Sequence, residues 1–156
     1  MKKNYILLLL IALGFYSCEK DDFCIEPITP NLIVRFYDAS NTLNTKTVTD
    51  LSVAPNELEN IYSNASLDSI AIPLDVSSNQ TIYNFTSGTA EDQIIIDYEV
   101  ENVFVSRSCG FKAIFNNVTL TTTNNWIISL SQNTVTSTLT ITSIEDEKAA
   151  HVQVFH

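Results

Sequence analysis

The sequence predicts an all-β fold, an antiparallel β-sandwich, with a small β-barrel as the alternative closure of the same strands. Three observations carry this prediction. Apolar and polar residues alternate with a period of two in short blocks from residue 31 onward. Clusters of Ser, Asn and Gly punctuate the blocks, and hardly any segment shows the 3.6-residue period of a helix.

The elements follow in order. Residues 31–38 place Leu32, Val34 and Phe36 on one side and Arg35 on the other, as a half-buried strand does. Further strands are predicted at 47–54, at 69–76, where Ile70, Ile72 and Leu74 share a face, and at 81–86. The long stretch 93–106 sets Ile94, Ile96, Tyr98 and Val100 against an outward acidic row of Asp97, Glu99 and Glu101. Past Asn102 the apolar role passes to Val103 and Val105, which predicts a bulge or strand switch near Asn102. Cys109, Phe111, Ala113 and Phe115 form another inward row, followed by residues 118–123 and then by Trp126, Ile128 and Leu130. The clearest alternation comes next, with Thr134, Thr136, Thr138, Thr140 and Thr142 facing one way and Val135, Leu139 and Ile141 the other. A charged turn at 145–148 leads to a last strand with Val152 and Val154 inward. Turns fall at 77–79, 87–88 and 116–117. The later cysteines and Trp126 do not follow the antibody-domain order, so any immunoglobulin-like character is architectural only.

The N-terminus reads as an address. Lys2 and Lys3 precede an apolar run over residues 5–15, the layout of a secretory leader. The run is shorter than the roughly 20 apolar residues a membrane-spanning helix requires. It ends at Ser17 and Cys18. A small residue directly before a cysteine resembles a lipobox, where the thiol is acylated and the leader cut away, although Phe15 and Tyr16 are bulkier than its strictest form. The expectation is a signal peptide over 1–17, a lipidated N-terminus and tether over 18–30, and one domain over 31–156. Acyl chains partition at about 0.8 kcal/mol per buried methylene, so two or three would hold the domain on a membrane where one would be marginal. Glu19, Lys20, Asp21 and Asp22 then resemble the export signal of surface lipoproteins in Bacteroidota, or serve simply as a solvated tether. The expected location is the outer membrane, surface-exposed, or alternatively its periplasmic face.

The remaining chain has the length of one domain with a real core. Once Lys2 and Lys3 leave with the leader, six basic residues face 18 acidic ones, a formal charge of −12. Such a surface repels phosphates and argues against nucleic acid. With Cys18 lipidated, Cys24 and Cys109 remain in an oxidising compartment, where pairing is the expected outcome and two free thiols or a metal pair are the alternatives. The bridge would span 85 positions. Chain entropy assigns such a loop on the order of 4 to 5 kcal/mol, less any strain.

Catalytic signals are weak. His151 and His156 stand at an odd spacing, so on an extended strand they point to opposite faces and cannot readily share a metal. No Gly-flanked serine elbow occurs. Gly88 and Gly110 are too few for a phosphate-cradling loop. Asp97, Glu99 and Glu101 could share a calcium ion if a loop added oxygens, but rows of charge usually mark the wet face of a sheet. Asp68, Ser69 and Ile70 resemble the short sequon at which Bacteroidota glycosylate exported proteins, with Ser69 the acceptor if Ile70 points inward.

Several segments together resemble a family of small Bacteroidota lipoproteins known only as a domain of unknown function. They are Cys18 to Asp22 with Cys24, Phe36 to Asp38, Ser66 to Ile70 with Pro73 and Leu74, Phe104 to Phe111, and Ala150 to His156. The resemblance implies lipidation and a shared β fold, and brings no activity, cofactor or catalytic residue. The expected role is a non-enzymatic, lipid-anchored binding or accessory module, without cofactor, whose partner is an envelope protein or a glycan. The competing readings are a carbohydrate-active hydrolase using acids such as Asp97 or Glu99, and a purely structural envelope subunit. A concavity holding two carboxylates would favour the hydrolase and an exposed apolar or aromatic patch the binding module.

Overall fold

The computed structural model describes residues 24, 29–131 and 137–156. The expected leader over 1–17, Cys18, the residues Glu19, Lys20, Asp21 and Asp22 of the expected tether, and Thr134, Val135 and Thr136 lie outside the described residues. Among the described residues the elements are β1 (Leu32–Tyr37), β2 (Val48–Pro55), β3 (Tyr62–Leu67), β4 (Ser69–Ile72), β5 (Gln80–Ser87), β6 (Ala90–Ser106), β7 (Gly110–Thr122), β8 (Thr138–Ile144) and β9 (Val152–Phe155). They form two open sheets, ordered β4-β1-β9 and β3-β2-β5-β6-β7-β8. The fold is the β-sandwich the alternation predicts, and neither sheet closes into a barrel. It departs from a wholly antiparallel arrangement at one place, because β9 runs parallel to β1 with Val34 opposite Val152 and Phe36 opposite Val154. Alternation reports which face of a strand is dry; it carries no information about the direction of the neighbouring strand.

The inward residues of both sheets meet in one core. Leu32, Val34, Phe36, Ile70, Ile72, Val152 and Val154 come from the small sheet, and Leu51, Val53, Phe85, Ile94, Ile96, Phe115, Val118, Leu120 and Ile144 from the large one. Each such side chain, once buried, stabilises the fold by about 1.5 to 3 kcal/mol relative to exposure.

Local chemistry explains the element ends. The predicted strand at 69–76 stops at Ile72 because Pro73 has no amide hydrogen to give to a ladder. The β5–β6 hairpin closes through Gly88 and Thr89, with Gly88 at φ 61°; its open surroundings leave backbone conformation as the reason for glycine. Strand β3 escaped the sequence reading because Tyr62, Ser63, Asn64, Ala65, Ser66 and Leu67 lack apolar alternation. Its Tyr62 hydroxyl donates to the Ala71 carbonyl and accepts from the Ala71 amide, at 3.0 and 3.2 Å, which occupies the outer edge of β4.

The predicted bulge near Asn102 is corrected. The β6–β7 ladder runs unbroken from Glu99 to Phe104, and its two irregularities flank that stretch: one extra residue on β7, where Asp97 faces Thr119 but Glu99 faces Asn116, and one on β6 near the tip, where Phe104 faces Phe111 but Ser106 faces Gly110. On β7 Asn117 is the inserted residue, held at φ 52°, a left-handed conformation that Asn tolerates better than most side chains. The change of apolar parity after Val100 has another cause. Strands β6 and β7, of 17 and 13 residues, outrun the small sheet, whose strands are four to six residues long. Beyond the core the ladder continues as a two-stranded arm, still buried at its base at Ala113 and Ile114 but with no sheet opposite it toward the tip. For the same reason Phe111, predicted inward with Cys109, Ala113 and Phe115, is 61% exposed. Residues 126–130 also depart from the predicted strand. They form no strand, and Ile127 is buried where Ile128 was predicted to be.

Candidate functional site

Three places could carry function: the acidic row of β6, a concavity beside β5, and the arm. In the acidic row each carboxylate is held by its own amide. Gln80 donates from Nε2 to Asp97 at 2.7 Å, Asn117 from Nδ2 to Glu99 at 2.9 Å, and Asn116 from Nδ2 to Glu101 at 2.7 Å. All three acids are exposed. Among the described residues no three His, Cys, Asp or Glu side chains converge as metal ligands would. The row behaves as the wet face of the sheet, cross-linked to the neighbouring strands.

The concavity, about 380 Å³, is lined chiefly by Pro55, Leu58, Pro73, Leu74, Ile82 and Tyr83, with Asp75 its one carboxylate. Its wall is the β4–β5 connection, pinned by two tyrosines from the large sheet. Tyr83 donates to the Pro73 carbonyl, and Tyr98 donates to the Asp75 carbonyl at 2.8 Å while also pairing with the Thr81 hydroxyl. Asp75 is further fixed by its amide, which donates to Thr81 Oγ1 at 3.0 Å. Burial, reinforced by the neighbouring Tyr98, pushes the Tyr83 phenol up to about 12. Burial likewise raises Tyr98, with the Asp75 charge adding to the effect and the bond to Thr81 opposing it. Both phenols therefore stay protonated and act as struts. Among the lining residues Leu58 is 70% exposed, an apolar lip on an apolar hollow.

The arm ends in a turn at Arg107, Ser108 and Cys109, ordered by the Cys109 amide donating to Ser106 Oγ at 3.0 Å and by Gly110 at φ 72°. Cys109 is bonded to Cys24 as a disulfide, Cα to Cα 4.9 Å. Below the turn Phe104 and Phe111 stand opposite one another across the ladder, ring centroids 5.5 Å apart and nearly edge to face.

The remaining residues singled out in the sequence are engaged within the fold. Ser69 lies on β4, half-buried, its hydroxyl donating to the Val34 carbonyl at 3.2 Å while Ile70 points into the core. His151 accepts from the Ile33 amide at Nδ1, 2.9 Å away, which leaves Nε2 to donate to the Asp146 carbonyl. His156 packs edge-on against Phe36 and Trp126. Burial holds its ring below the usual imidazole range against the bond to the Lys46 backbone and the Asp38 charge, which favour the proton. Asp92 joins no motif in the sequence, yet the fold buries it. This carboxylate is 1% exposed and accepts the Thr123 hydroxyl and the amides of Asn125, Trp126 and Ile127 at 2.6 to 2.7 Å. Its signal was an acid at an inward parity of β6, in register with Ile94 and Ile96.

Fold and site together define a two-sheet β-sandwich with a disulfide-stapled hairpin arm and a shallow apolar concavity. The chain belongs to a family of unknown function, DUF6452, whose model matches residues 45–156. No curated protein and no solved structure matches it.

Proposed function

We propose that the protein is a lipid-anchored module of the bacterial cell envelope, secreted behind the leader over 1–17, acylated at Cys18 and acting by binding rather than by catalysis. The observation that carries this reading is the Cys24–Cys109 disulfide. Such bonds persist in oxidising compartments outside the cytoplasm, and this one lies six residues past the cysteine of the lipobox-like Ser17-Cys18. The charged stretch Glu19 to Asp22 supports surface export from the outer membrane. The concavity supports the binding role, because it presents an apolar lining and one carboxylate where a glycosidase would need two facing acids. An apolar group on an envelope protein or on a glycan aglycone fits that lining.

Metabolic labelling with an alkyne palmitate tests the anchor. The expected result is a labelled, membrane-associated protein whose label disappears in Cys18→Ala. An unlabelled protein that retains residues 1–17 would overturn the reading.

A further inference from the structure

Among the exposed apolar side chains, Phe104 and Phe111 are a matched aromatic pair. Each is 61% exposed, and they face one another on the same side of the arm, so the two rings form one patch at a place where no second sheet covers them. A protein of this acidity would be expected to surround such a patch with carboxylates. Instead the chain carries no acid between Glu101 and Glu145, and its only charges there are Arg107 at the tip of the arm and Lys112. Glu101 itself stands three residues from Phe104, on the opposite face of the strand, and is held by Asn116. Lys112 reaches the Glu145 carbonyl at 3.0 Å, and neither cation forms an ion pair among the described residues.

The staple decides what the patch meets. Cys109 is two residues from Phe111 and is bonded to Cys24, and Cys24 is six residues from Cys18. Six extended residues reach roughly 20 Å. The tip of the arm therefore cannot leave the neighbourhood of acyl chains attached at Cys18, whereas the rest of the sandwich can. Lys112, next to Phe111 on β7, points to the opposite face. Even so, an element with apolar rings on one face and a cation, Arg107, at its tip, held at the headgroup level, has the composition of an interfacial membrane contact.

We infer that the Phe104/Phe111 face of the arm rests in the lipid interface that receives the Cys18 acyl chains, so that the domain is oriented on the membrane as well as tethered to it. This rests on the anchor proposed above. Arg107 then lies at the phosphates, and the acidic face of β6 and the concavity are left to the aqueous side.

The test uses the full chain purified from its native membranes and returned to vesicles of phosphatidylethanolamine and phosphatidylglycerol, with or without bromine on the acyl chains. Wild-type emission comes from Trp126, which hangs on Asp92, twelve residues from Phe104 along β6 and so roughly 40 Å away; it should be equal in both vesicles. In Phe104→Trp the added indole should lose emission in brominated vesicles, and Phe111→Trp serves as the same reporter if the first variant does not fold. Intact mass, read on the same sample, reports acylation. An acylated protein whose added indole is unquenched overturns the contact alone, including the case in which blue-shifted but unquenched emission shows the pair buried against a second protein. A mass without acyl chains overturns both the contact and the anchor.

Discussion

Asp92 shows how much one side chain can organise. Its two oxygens gather four donors from residues 123–127, and that loop carries Trp126 onto Phe36 and His156. Hydrogen bonds to a charged acceptor contribute about 1.5 to 3 kcal/mol each, and buried donors left without one cost a comparable amount. Asp92→Asn replaces an acceptor oxygen with a donor, and the expected loss of unfolding free energy in urea is on the order of 3 kcal/mol. An unchanged midpoint would show that water replaces the carboxylate. Tyr83 sets a second expectation at this scale. Its folded phenol is raised from 10.0 to about 12, so the unfolded chain releases this proton first. Its contribution is intact below pH 10.0 and is lost as the pH climbs through that window toward about 12. Stability measured across an alkaline series should fall there, and Tyr83→Phe should flatten the fall. A decline equal in both proteins would exclude Tyr83 as its source.

At the scale of elements, bulges place the strands. On β2 and β3 the register shifts twice, with Asp50 at φ 51° and Asn64 at φ 47° as the inserted residues, one on each strand, so the shifts cancel. On β7 the insertion at Asn117 is compensated only near the tip, by the extra residue on β6 between Phe104 and Ser106, and over the stretch between them it resets which residues of the arm face which way. For a residue with a branched Cβ the left-handed conformation costs about 1 to 2 kcal/mol. Asn117→Val should therefore destabilise by about that much, plus the amide bond to Glu99, while Asn117→Gly should cost clearly less. Equal losses in the two variants, read from denaturant midpoints, would mean that the bulge is not held by backbone conformation. The parity change after Val100 points to Asn102 in the sequence, whereas the inserted residues lie at Asn117 and between Phe104 and Ser106. Toward the tip no sheet lies opposite the arm, and Phe104 and Phe111 are exposed there, which no local pattern records.

On the scale of the whole molecule, the staple joins the chain just ahead of the domain to the tip of its longest hairpin. Closing 85 positions restricts the unfolded chain by on the order of 4 to 5 kcal/mol as an upper figure. Replacing both Cys24 and Cys109 by Ser should lower stability by a few kcal/mol while leaving the sandwich core folded. A double variant as stable as the oxidised protein would show that the segment before Thr29 places no constraint on the arm. The acidic balance and the cysteine pair were legible from the residues alone. The concavity was not, since Pro55, Leu58, Pro73 and Tyr83 come from separate strands and the turns between them.

By itself the sequence determined that the fold is all-β and which face of most strands is buried, and it made Cys24 and Cys109 the expected pair if Cys18 is acylated. These follow from a period of two and from counting thiols, and both are local properties. Only the tertiary structure decided that β9 lies parallel to β1, that Asp92 is a buried anchor, and that Phe104 and Phe111 emerge together into the open. Strand direction, buried charge and exposed rings depend on which distant segment lies opposite, and a one-dimensional pattern does not encode its own neighbours.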